Sequence, residues 1–545
     1  MAARPAKWWG WGFDDRSIPL ESRPALLAFL KQVLELPDAE LLRVPDPATI
    51  PLPASRLTDA DLRDFRKIVG EEGVAGSDFD RLTHAAGKSY RDLLRLRLGP
   101  APVPPDIVLF PEADEDVRRV LELASERDFR VVPFGGGTTV VGGVEVSEAS
   151  HPHVTLDLRR MRRVLAIDEV SLLVTAQAGI RGPLLEEALQ ARRLTTGHFP
   201  QSFEFSTLGG WIAARSTGAL SNRYGKIEDL VASLRMVSPT GTYDVRARPR
   251  HAMGPDLLGL AVGSEGTLGV ITQATMRVAR APAAREFESF LFRGFRDGLE
   301  VLRGMAQDGV APAMAYLMDE DETRFNVAAA GGAKGIGASL LRARGFSPEQ
   351  GSLLLVGYEG ARDIVREHLA IGRRYCGAGV AVGAGPAARW FQERYDAPYL
   401  RDSLIDHRIL VDTVETATVW SNLERLYGAA REALLKGIWG TGVQGLVGCH
   451  VSHVYPEGAS LYYTFLARQK RGEELAQYDA VKRAVTRAIL DHGGHLSHHH
   501  GIGTEHAGYL REALGDDAWR LMRDLKRTMD PKGIMNPGKL FPVGG

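Results

Sequence analysis

Cysteine is scarce in this chain, since its 545 residues contain only Cys376 and Cys449 and no C-x-x-C pair. This scarcity argues against a disulfide framework and a thiolate zinc site, and it favours a reducing compartment. No stretch reaches the roughly eighteen consecutive apolar residues of a membrane span, and the first residues lack an apolar signal-peptide core. The sequence therefore predicts a cytoplasmic protein, with peripheral contact at the inner face of the membrane left open.

An excess of either charge is also lacking. The chain has 67 Lys and Arg against 68 Asp and Glu, so no overall field attracts nucleic acid, and none is expected as a partner. The last residues, Phe541 to Gly545, differ from a peroxisomal tripeptide signal. With 44% hydrophobic and 25% charged residues, the chain is long enough for two or three domains.

Glycine is concentrated in a loop at residues 133–143, directly after the apolar run 129–132. Five glycines and two threonines at the end of a strand describe backbone whose amides can cradle an anion such as a pyrophosphate. A tight turn would need only one or two glycines, so the anion site is favoured. Val140 stands where G-x-G-x-x-G requires its third glycine, and no Gly-Lys-Ser/Thr follows. The loop is therefore neither a common dinucleotide fingerprint nor a Walker loop.

Two further glycine-bearing stretches lie at element junctions, at residues 196–218 and 263–272. In the first, Ser206 and Thr207 can cap a short helix. The second opens a β-branched strand. Three such loops within one α/β segment are better explained by one long ligand than by three unrelated turns.

The pattern along the chain predicts four regions. Residues 1–100 form a helical region, 101–280 an α/β ligand-binding domain, 281–495 a second, α+β domain, and 496–545 a C-terminal segment that returns to the first domain and the active site. Within the second domain, the Ala- and Gly-rich residues 327–339 predict a mobile loop, with a helix of small residues as the alternative.

Candidate chemical groups lie far downstream. Three consecutive histidines, His498, His499 and His500, cannot converge on one metal ion from ordinary backbone, so an acid/base or polar-cavity role is favoured over a metal site and over an exposed run. Of the adjacent Tyr462 and Tyr463, strand alternation turns one to a core and the other to a cavity or water. Arg401 is suited to binding a phosphate or a carboxylate, but a salt bridge with Asp402 is equally consistent with the spacing. The residue pattern alone leaves the reaction open.

Several of these segments carry a family resemblance. The loops at 133–138, 201–211 and 263–269 resemble the FAD-binding domain of the vanillyl-alcohol oxidase superfamily. The opening Lys7-Trp8-Trp9-Gly10-Trp11-Gly12, the segment Ser452-His453-Val454-Tyr455 and the triple histidine resemble one family within it, the alkyldihydroxyacetonephosphate synthases. The resemblance covers nearly the whole chain.

The resemblance implies the fold class and the cofactor. The fold is α+β, with a two-subdomain FAD-binding domain of the vanillyl-alcohol oxidase/PCMH type and an α+β substrate (cap) domain. FAD is held non-covalently. The residues implied for FAD are Pro133, Phe134, Gly135, Gly136, Gly137, Thr138, Thr139, Pro200, Gln201, Ser202, Phe203, Glu204, Phe205, Ser206, Ala213, Ala214, Arg215, Ser216, Glu265, Gly266, Thr267, Leu268, Gly269, Val270 and Ile271.

The resemblance also implies a reaction of ether-lipid synthesis. The acyl group of acyl-dihydroxyacetone phosphate is exchanged for a long-chain fatty alcohol, without net redox, through an adduct at the flavin N5. By position, Tyr462 matches the proton-transferring tyrosine, Arg401 the substrate-binding arginine, and His498, His499 and His500 the active-site histidines. These residue types suit an anionic substrate that exchanges protons. Lipid substrates and a homodimer are implied as partners.

One position departs from the family pattern. Tyr316 precedes Leu317-Met318-Asp319, where the family has an arginine thought to support the histidines, and Arg324 is a candidate to replace it. The departure keeps open the alternative of an FAD-dependent 2-hydroxyacid (D-lactate-type) dehydrogenase or alcohol oxidase. A flavin-free binding or lipid-sensing protein is a third alternative if the fold has lost its cofactor.

Overall fold

A computed structural model describes residues 6–37, 40–146, 150–333 and 336–542. In chain order the strands are β1 (Val74–Ala75), β2 (Ile107–Leu109), β3 (Arg130–Phe134), β4 (His153–Asp157), β5 (Val164–Asp168), β6 (Leu173–Gln177), β7 (Leu194–Thr195), β8 (Val231–Ser238), β9 (Gly241–Val245), β10 (Val270–Arg277), β11 (Ala279–Arg280), β12 (Ala284–Phe292), β13 (Met314–Met318), β14 (Ser352–Gly360), β15 (Val380–Ala381), β16 (Ile409–Val419), β17 (Gly445–Val451) and β18 (Gly458–Arg468).

The α-helices of the described residues are α1 (Pro24–Val33), α2 (Asp59–Val69), α3 (Asp78–Thr83), α4 (Tyr90–Leu98), α5 (Asp114–Arg127), α6 (Gly182–Gln190), α7 (Leu208–Ala213), α8 (Ser221–Tyr224), α9 (Ile227–Leu230), α10 (Leu257–Ala261), α11 (Phe295–Gln307), α12 (Glu320–Ala329), α13 (Ile336–Ala343), α14 (Arg362–Tyr375), α15 (Gly385–Glu393), α16 (Ala397–Asp406), α17 (Trp420–Gly440), α18 (Glu474–Asp491), α19 (Ala507–Leu514) and α20 (Asp516–Met529). None of them has both the length and the hydropathy needed to cross a bilayer.

These elements form two compact units. The glycine-loop unit comprises Val44–Gly218, Gly225–Ala281 and His499–Gly545, and the seven-stranded unit comprises Met1–Arg43, Ala219–Tyr224 and Pro282–His498. The predicted boundary after residue 280 lies one residue from the observed one. The predicted helical region 1–100 is divided at Arg43, so it is not one structural layer.

The glycine-loop unit contains a four-stranded sheet of order β1-β2-β4-β3, in which β2 and β3 both run parallel to β4. Helix α5 connects β2 to β3. Three acidic residues lie in its first turn, where their negative charges interact favourably with the helix dipole. Its buried face contains Val117, Val120, Leu121 and Ala124. This βαβ unit ends at Phe134, so the glycine loop begins where the strand ends. A separate antiparallel sheet has the order β5-β6-β10-β8-β9.

The seven-stranded unit is built on one antiparallel sheet of order β15-β12-β14-β13-β17-β18-β16. Its longest ladder joins β16 to β18 from Ile409–Arg468 to Val419–Gly458. Tyr463 and Phe465 of β18 are fully buried, while Tyr462 is only partly buried. This alternation agrees with the predicted division of the two tyrosines.

The prediction of a mobile loop at 327–339 is wrong for the two ends of that range, which are helical. Helix α12 continues through Ala329, and α13 begins at Ile336, so the small-residue helix describes these ends better. Alanine is the strongest helix former, which outweighs the scattered glycines. Residues 334 and 335 lie outside the described residues.

Candidate active site

The three glycine loops lie in contact within the glycine-loop unit. A Cβ atom on Gly136 would overlap the carbonyl oxygen of Phe205, and a Cβ on Gly135 would overlap the Thr207 hydroxyl. A Cβ on Gly266 would lie 3.0 Å from Pro133 Cγ. The first loop therefore touches both others, and the backbones approach too closely for side chains at these glycines.

The second loop is fixed by a helix cap. Thr207 Oγ1 accepts a hydrogen bond from Gly210 N at 3.3 Å, which confirms one of the two predicted caps of α7. Ser206 instead accepts a bond from the Trp211 indole N–H at 2.7 Å. Both polar side chains thus hold the loop in shape.

Glu265 joins the third loop to the C-terminal segment. Its carboxylate accepts hydrogen bonds from Ile502 N at 2.6 Å and Gly503 N at 2.8 Å, and burial raises its pKa to about 7. Asn536 donates to the Glu265 carbonyl at 2.7 Å. Residues 499–542 therefore return to the glycine-loop unit, and Asn536 is a supporting residue that the sequence analysis missed.

Two buried hydroxyl groups without a hydrogen-bond partner bear on whether this unit fits FAD. Ser264 Oγ and Thr217 Oγ1 are buried beside the predicted cofactor residues and have no hydrogen-bond partner among the described residues. Buried hydroxyls normally find a partner, so these two are suited to a polar ligand. Together with the closely packed glycines, they fit a long ligand that carries phosphates. The remaining predicted cofactor residues all belong to the same unit.

In the seven-stranded unit, strand register places a tyrosine between an acid and a histidine. Tyr462 on β18 pairs with Glu415 on β16 and with His450 on β17. Directly opposed residues share one face of a sheet. The rings of Tyr462 and His450 stack with centroids 4.7 Å apart. Burial raises the pKa of Tyr462, with further contributions from Glu415 and Asp412, while a Thr413 hydrogen bond and the Arg401 charge lower it.

Arg401 lies on α16 of the same unit, and its charge reaches Tyr462. Its Nε and Nη2 atoms are buried with no hydrogen-bond partner among the described residues. Asp402, the alternative salt-bridge partner, accepts a hydrogen bond from Trp11 N at 2.7 Å and lies 3.9 Å from Lys7 Nζ. Two guanidinium nitrogens are thus left for an acceptor from outside the chain.

The boundary between the units falls inside the histidine run. His498 belongs to the seven-stranded unit, where its Nε2 lies 2.7 Å from the Tyr455 hydroxyl and its backbone N–H donates to Glu415 at 3.0 Å. Its ring stacks on His453 with centroids 5.3 Å apart. His499 and His500 belong to the glycine-loop unit, with their rings 4.7 Å apart.

Tyr316 takes part in a second cluster that the sequence analysis missed. Its ring stacks on His450 at 4.0 Å, and its hydroxyl donates to Glu322 at 2.8 Å. His450 Nδ1 lies 2.9 Å from the same carboxylate. No local pattern indicates this cluster, because its members come from β13, α12 and β17.

Arg324, the candidate to replace the family arginine, contacts Asp321 and Phe29. Its Nη2 donates to Asp321 at 2.8 Å, and its guanidinium carbon lies 5.5 Å from the centre of the Phe29 ring. The arginine therefore contacts an acid and an aromatic ring, while its Nε is buried with no hydrogen-bond partner among the described residues.

Comparison with known proteins assigns a class to these two units. Residues 105–245 match the family model "FAD binding domain", and residues 281–540 match "FAD linked oxidases, C-terminal domain". A p-cresol methylhydroxylase structure superposes with a TM-score of 0.70 at 15% identity, covering 91% of this chain and 100% of that one, which supports the fold. The chain is an FAD-dependent enzyme with the predicted two-part α+β fold.

Closer relatives give the family. An alkyldihydroxyacetonephosphate synthase of Dictyostelium discoideum is 35% identical over 97% of this chain and 88% of that protein. A solved alkyldihydroxyacetonephosphate synthase structure has a TM-score of 0.83 at 32% identity, covering 98% of this chain and 97% of that one. The chain belongs to the alkyldihydroxyacetonephosphate synthase family, which confirms the predicted family and the FAD cofactor.

The packing of the glycine loops predicts the effect of one added methyl group. Gly136→Ala should abolish FAD binding, because its Cβ would overlap the Phe205 carbonyl and force the first two loops apart. The measurement is the flavin absorbance of the purified protein before and after adding FAD. Gly508→Ala is the matched control, since its Cβ meets nothing within 4 Å, and it should keep full flavin content. A fully yellow Gly136→Ala protein would contradict the contact between the loops.

Proposed function

We propose that this protein is an alkyldihydroxyacetonephosphate synthase of ether-lipid synthesis, which replaces the acyl group of acyl-dihydroxyacetone phosphate by a long-chain fatty alcohol. The observation that carries the proposal is that Arg401 Nε and Nη2 are buried without a hydrogen-bond partner among the described residues, while the charge of the guanidinium reaches the Tyr462 phenol. A planar fork of donors suits a phosphate oxygen pair. Family membership supplies the reaction class.

Each of these residues has a separate proposed role in the reaction. The three glycine loops would hold FAD, which would supply a nucleophilic flavin nitrogen for an exchange without net redox. Tyr462 has a raised pKa, so at neutral pH it keeps its proton and donates a hydrogen bond to a substrate oxygen. Glu322 fixes the His450 ring through Nδ1, which leaves Nε2 to exchange protons. Glu415 holds the backbone at His498, and His499 and His500 are the further proposed proton carriers.

FAD is proposed to be held without a covalent bond. His198, the histidine of the second glycine loop, is fully buried, and its Nε2 lies 3.2 Å from Ser216 Oγ. Its ring packs edge-on against Trp211, and burial lowers its pKa to about 3. Such a ring is enclosed by protein and is a poor candidate for attachment to the flavin.

Precipitation of the protein with acid should therefore release all flavin into the supernatant, and a yellow precipitate would contradict non-covalent binding.

The second candidate is an FAD-dependent oxidation of a 2-hydroxyacid or an alcohol. The observation that favours it is Tyr316, a neutral residue where the family has a cation. Arg401 would then bind the substrate carboxylate. Anaerobic bleaching of the flavin by D-lactate or a related acid would support this candidate, and a colourless protein that never takes up FAD would support a lipid-binding role instead.

The proposed reaction makes a direct prediction. Incubation with palmitoyl-dihydroxyacetone phosphate and hexadecanol should release palmitate without reducing an electron-accepting dye. Tyr462→Phe should keep FAD and lose at least about a hundredfold in turnover, because the proton donor is removed. Tyr463→Phe is the matched control, since its hydroxyl donates to the Tyr427 carbonyl at 3.1 Å in the core; it should cost about 1 kcal/mol of stability and little activity. Full turnover by Tyr462→Phe would remove Tyr462 from the mechanism.

Substrate affinity should depend on the shape of the Arg401 side chain. Arg401→Lys should raise KM for acyl-dihydroxyacetone phosphate about tenfold with a small change in kcat, because a point charge replaces a fork. Steady-state kinetics measures both constants. The exposed Arg389 of α15 provides the control Arg389→Lys, which should leave KM unchanged. An unchanged KM in Arg401→Lys would instead indicate a structural arginine.

The protein is further proposed to be a cytoplasmic homodimer that touches anionic membrane, where its lipid substrates reside. Two free, buried thiols support a reducing compartment. An exposed stretch at 246–260 carries Arg246, Arg248 and Arg250 beside the side chains of Met253, Leu257 and Leu260, which are 56%, 50% and 45% exposed. Basic and apolar groups together suit a surface of anionic lipid. Light scattering tests the dimer.

Vesicle binding tests the membrane contact. Replacing Arg246, Arg248 and Arg250 by serine should weaken binding to phosphatidylglycerol vesicles about a hundredfold, since each arginine contributes about 1 kcal/mol near such a surface. Co-sedimentation measures the bound fraction. Serine at Arg362, Arg366 and Arg374 of α14 removes the same charge elsewhere and should change binding little. Equal loss in both variants would show that only net charge matters.

A further inference from the structure

The N-terminal tryptophan motif forms a closed loop on the helix that carries Arg401. We define the Trp loop as Lys7–Gly12. Its ends are joined by an antiparallel bridge between Ala6 and Phe13 and by a hydrogen bond from Lys7 N to the Gly12 carbonyl at 2.8 Å. Trp11 and the Lys7 side chain are buried within the seven-stranded unit. The loop is thus an ordered part of the unit.

Two glycines let the Trp loop approach α16. A Cβ on Gly10 would overlap Asp402 Oδ2, and a Cβ on Gly12 would overlap the Tyr399 ring. Gly12 also has a φ of +86°, which favours glycine. Both positions therefore need glycine for the loop to lie against the helix.

Buried polar contacts attach the loop to the helix. Asp402 accepts the Trp11 N–H at 2.7 Å, and Lys7 Nζ lies 3.9 Å from the same oxygen. Lys7 Nζ also donates to the Arg16 carbonyl at 2.6 Å. Because Lys7 and Asp402 are each only 3% exposed, separating them would leave a buried charge without its partner, which is strongly unfavourable.

The chain after the loop extends this contact along one face of α16. Arg16 pairs with Asp396 and lies 4.4 Å from the Tyr399 ring centre, and Leu20 N donates to Ser403 Oγ at 2.8 Å. The contacted positions 396, 399, 402 and 403 recur at helical spacing and cover one face. At about 100° per residue, Arg401 projects from the opposite face. The N-terminal chain therefore determines the rotation of α16 and the direction of Arg401.

We propose that the Trp loop is a positioning element for substrate binding, which holds α16 so that the Arg401 guanidinium is aimed at the phosphate of the substrate. The inference rests on the proposed role of Arg401 and adds a purpose for the tryptophan motif. It acts on affinity for the phosphate group, since the helix that it holds carries Arg401.

A double-mutant cycle tests the inference. Gly10→Ala should push the loop away from Asp402 and raise KM for acyl-dihydroxyacetone phosphate about tenfold, with kcat within about twofold and flavin content unchanged. In an Arg401→Ala background, Gly10→Ala should raise KM by less than about twofold further, because the guanidinium that the loop positions has been removed. Gly377→Ala is the control, since its Cβ meets nothing within 4 Å in the same unit. Asp402→Asn, which keeps an acceptor for Trp11 and loses the ion pair, is the second variant if Gly10→Ala does not fold.

Four results would overturn the inference. An unchanged KM in Gly10→Ala and Asp402→Asn would mean that the loop does not aim Arg401. An equal rise of KM with and without Arg401 would mean a general structural effect. Calorimetric titration with dihydroxyacetone phosphate distinguishes the role of the Trp loop from that of Arg401. If Arg401→Ala weakens binding and Gly10→Ala does not, only the positioning role of the loop is wrong. If Arg401→Ala leaves binding unchanged, the proposed role of Arg401 is wrong, and the inference with it.

Discussion

The register of β18 between β16 and β17 is the constraint on which the chemistry of the seven-stranded unit depends. Side chains alternate along a strand, so a slip of one residue would turn Tyr462 away from Glu415 and His450. The opposite face of β18 prevents the slip, since Tyr463 and Phe465 are fully buried there. Burial of apolar surface on one face thus fixes a polar arrangement on the other.

Two buried carboxylates organise that polar face. Glu322 accepts a hydrogen bond from the Tyr316 hydroxyl and lies beside His450 Nδ1. Glu415 accepts hydrogen bonds from the Ser497 hydroxyl at 2.7 Å and from the His498 N–H. A buried carboxylate is costly unless it is hydrogen-bonded, so these acids hold the groups around them in defined positions. The same rule applies in the glycine-loop unit, where the Glu265 carboxylate binds two backbone amides of the C-terminal segment.

Local patterns in the sequence predicted the elements that depend on local rules. The glycine loop after β3, the Thr207 cap and the division of Tyr462 from Tyr463 follow from backbone geometry, capping and strand alternation. The pattern could not identify Glu322, Glu415 or His450 as partners, because strand pairing joins residues far apart in sequence. It also could not divide residues 1–100 between two units, since helical periodicity gives the buried face of a helix and leaves its neighbour unspecified.

Tyr316, which stands where the family resemblance implies an arginine, brings no positive charge to this polar face. The tyrosine hydroxyl still donates to Glu322, and its ring fills the space against His450, but it carries no positive charge. Lys482 pairs with Asp412 at 3.2 Å, and Arg324 with Asp321, so both cations are already engaged by acids. Arg401 has two buried nitrogens, Nε and Nη2, with no hydrogen-bond partner among the described residues, and its charge reaches Tyr462. Its fork would accept a carboxylate or a phosphate, so the choice between the two reactions depends on Tyr462. Because burial raises its pKa, the phenol stays protonated at neutral pH: it can donate a hydrogen bond to an ester oxygen, but it is not available as the base that deprotonates an alcohol.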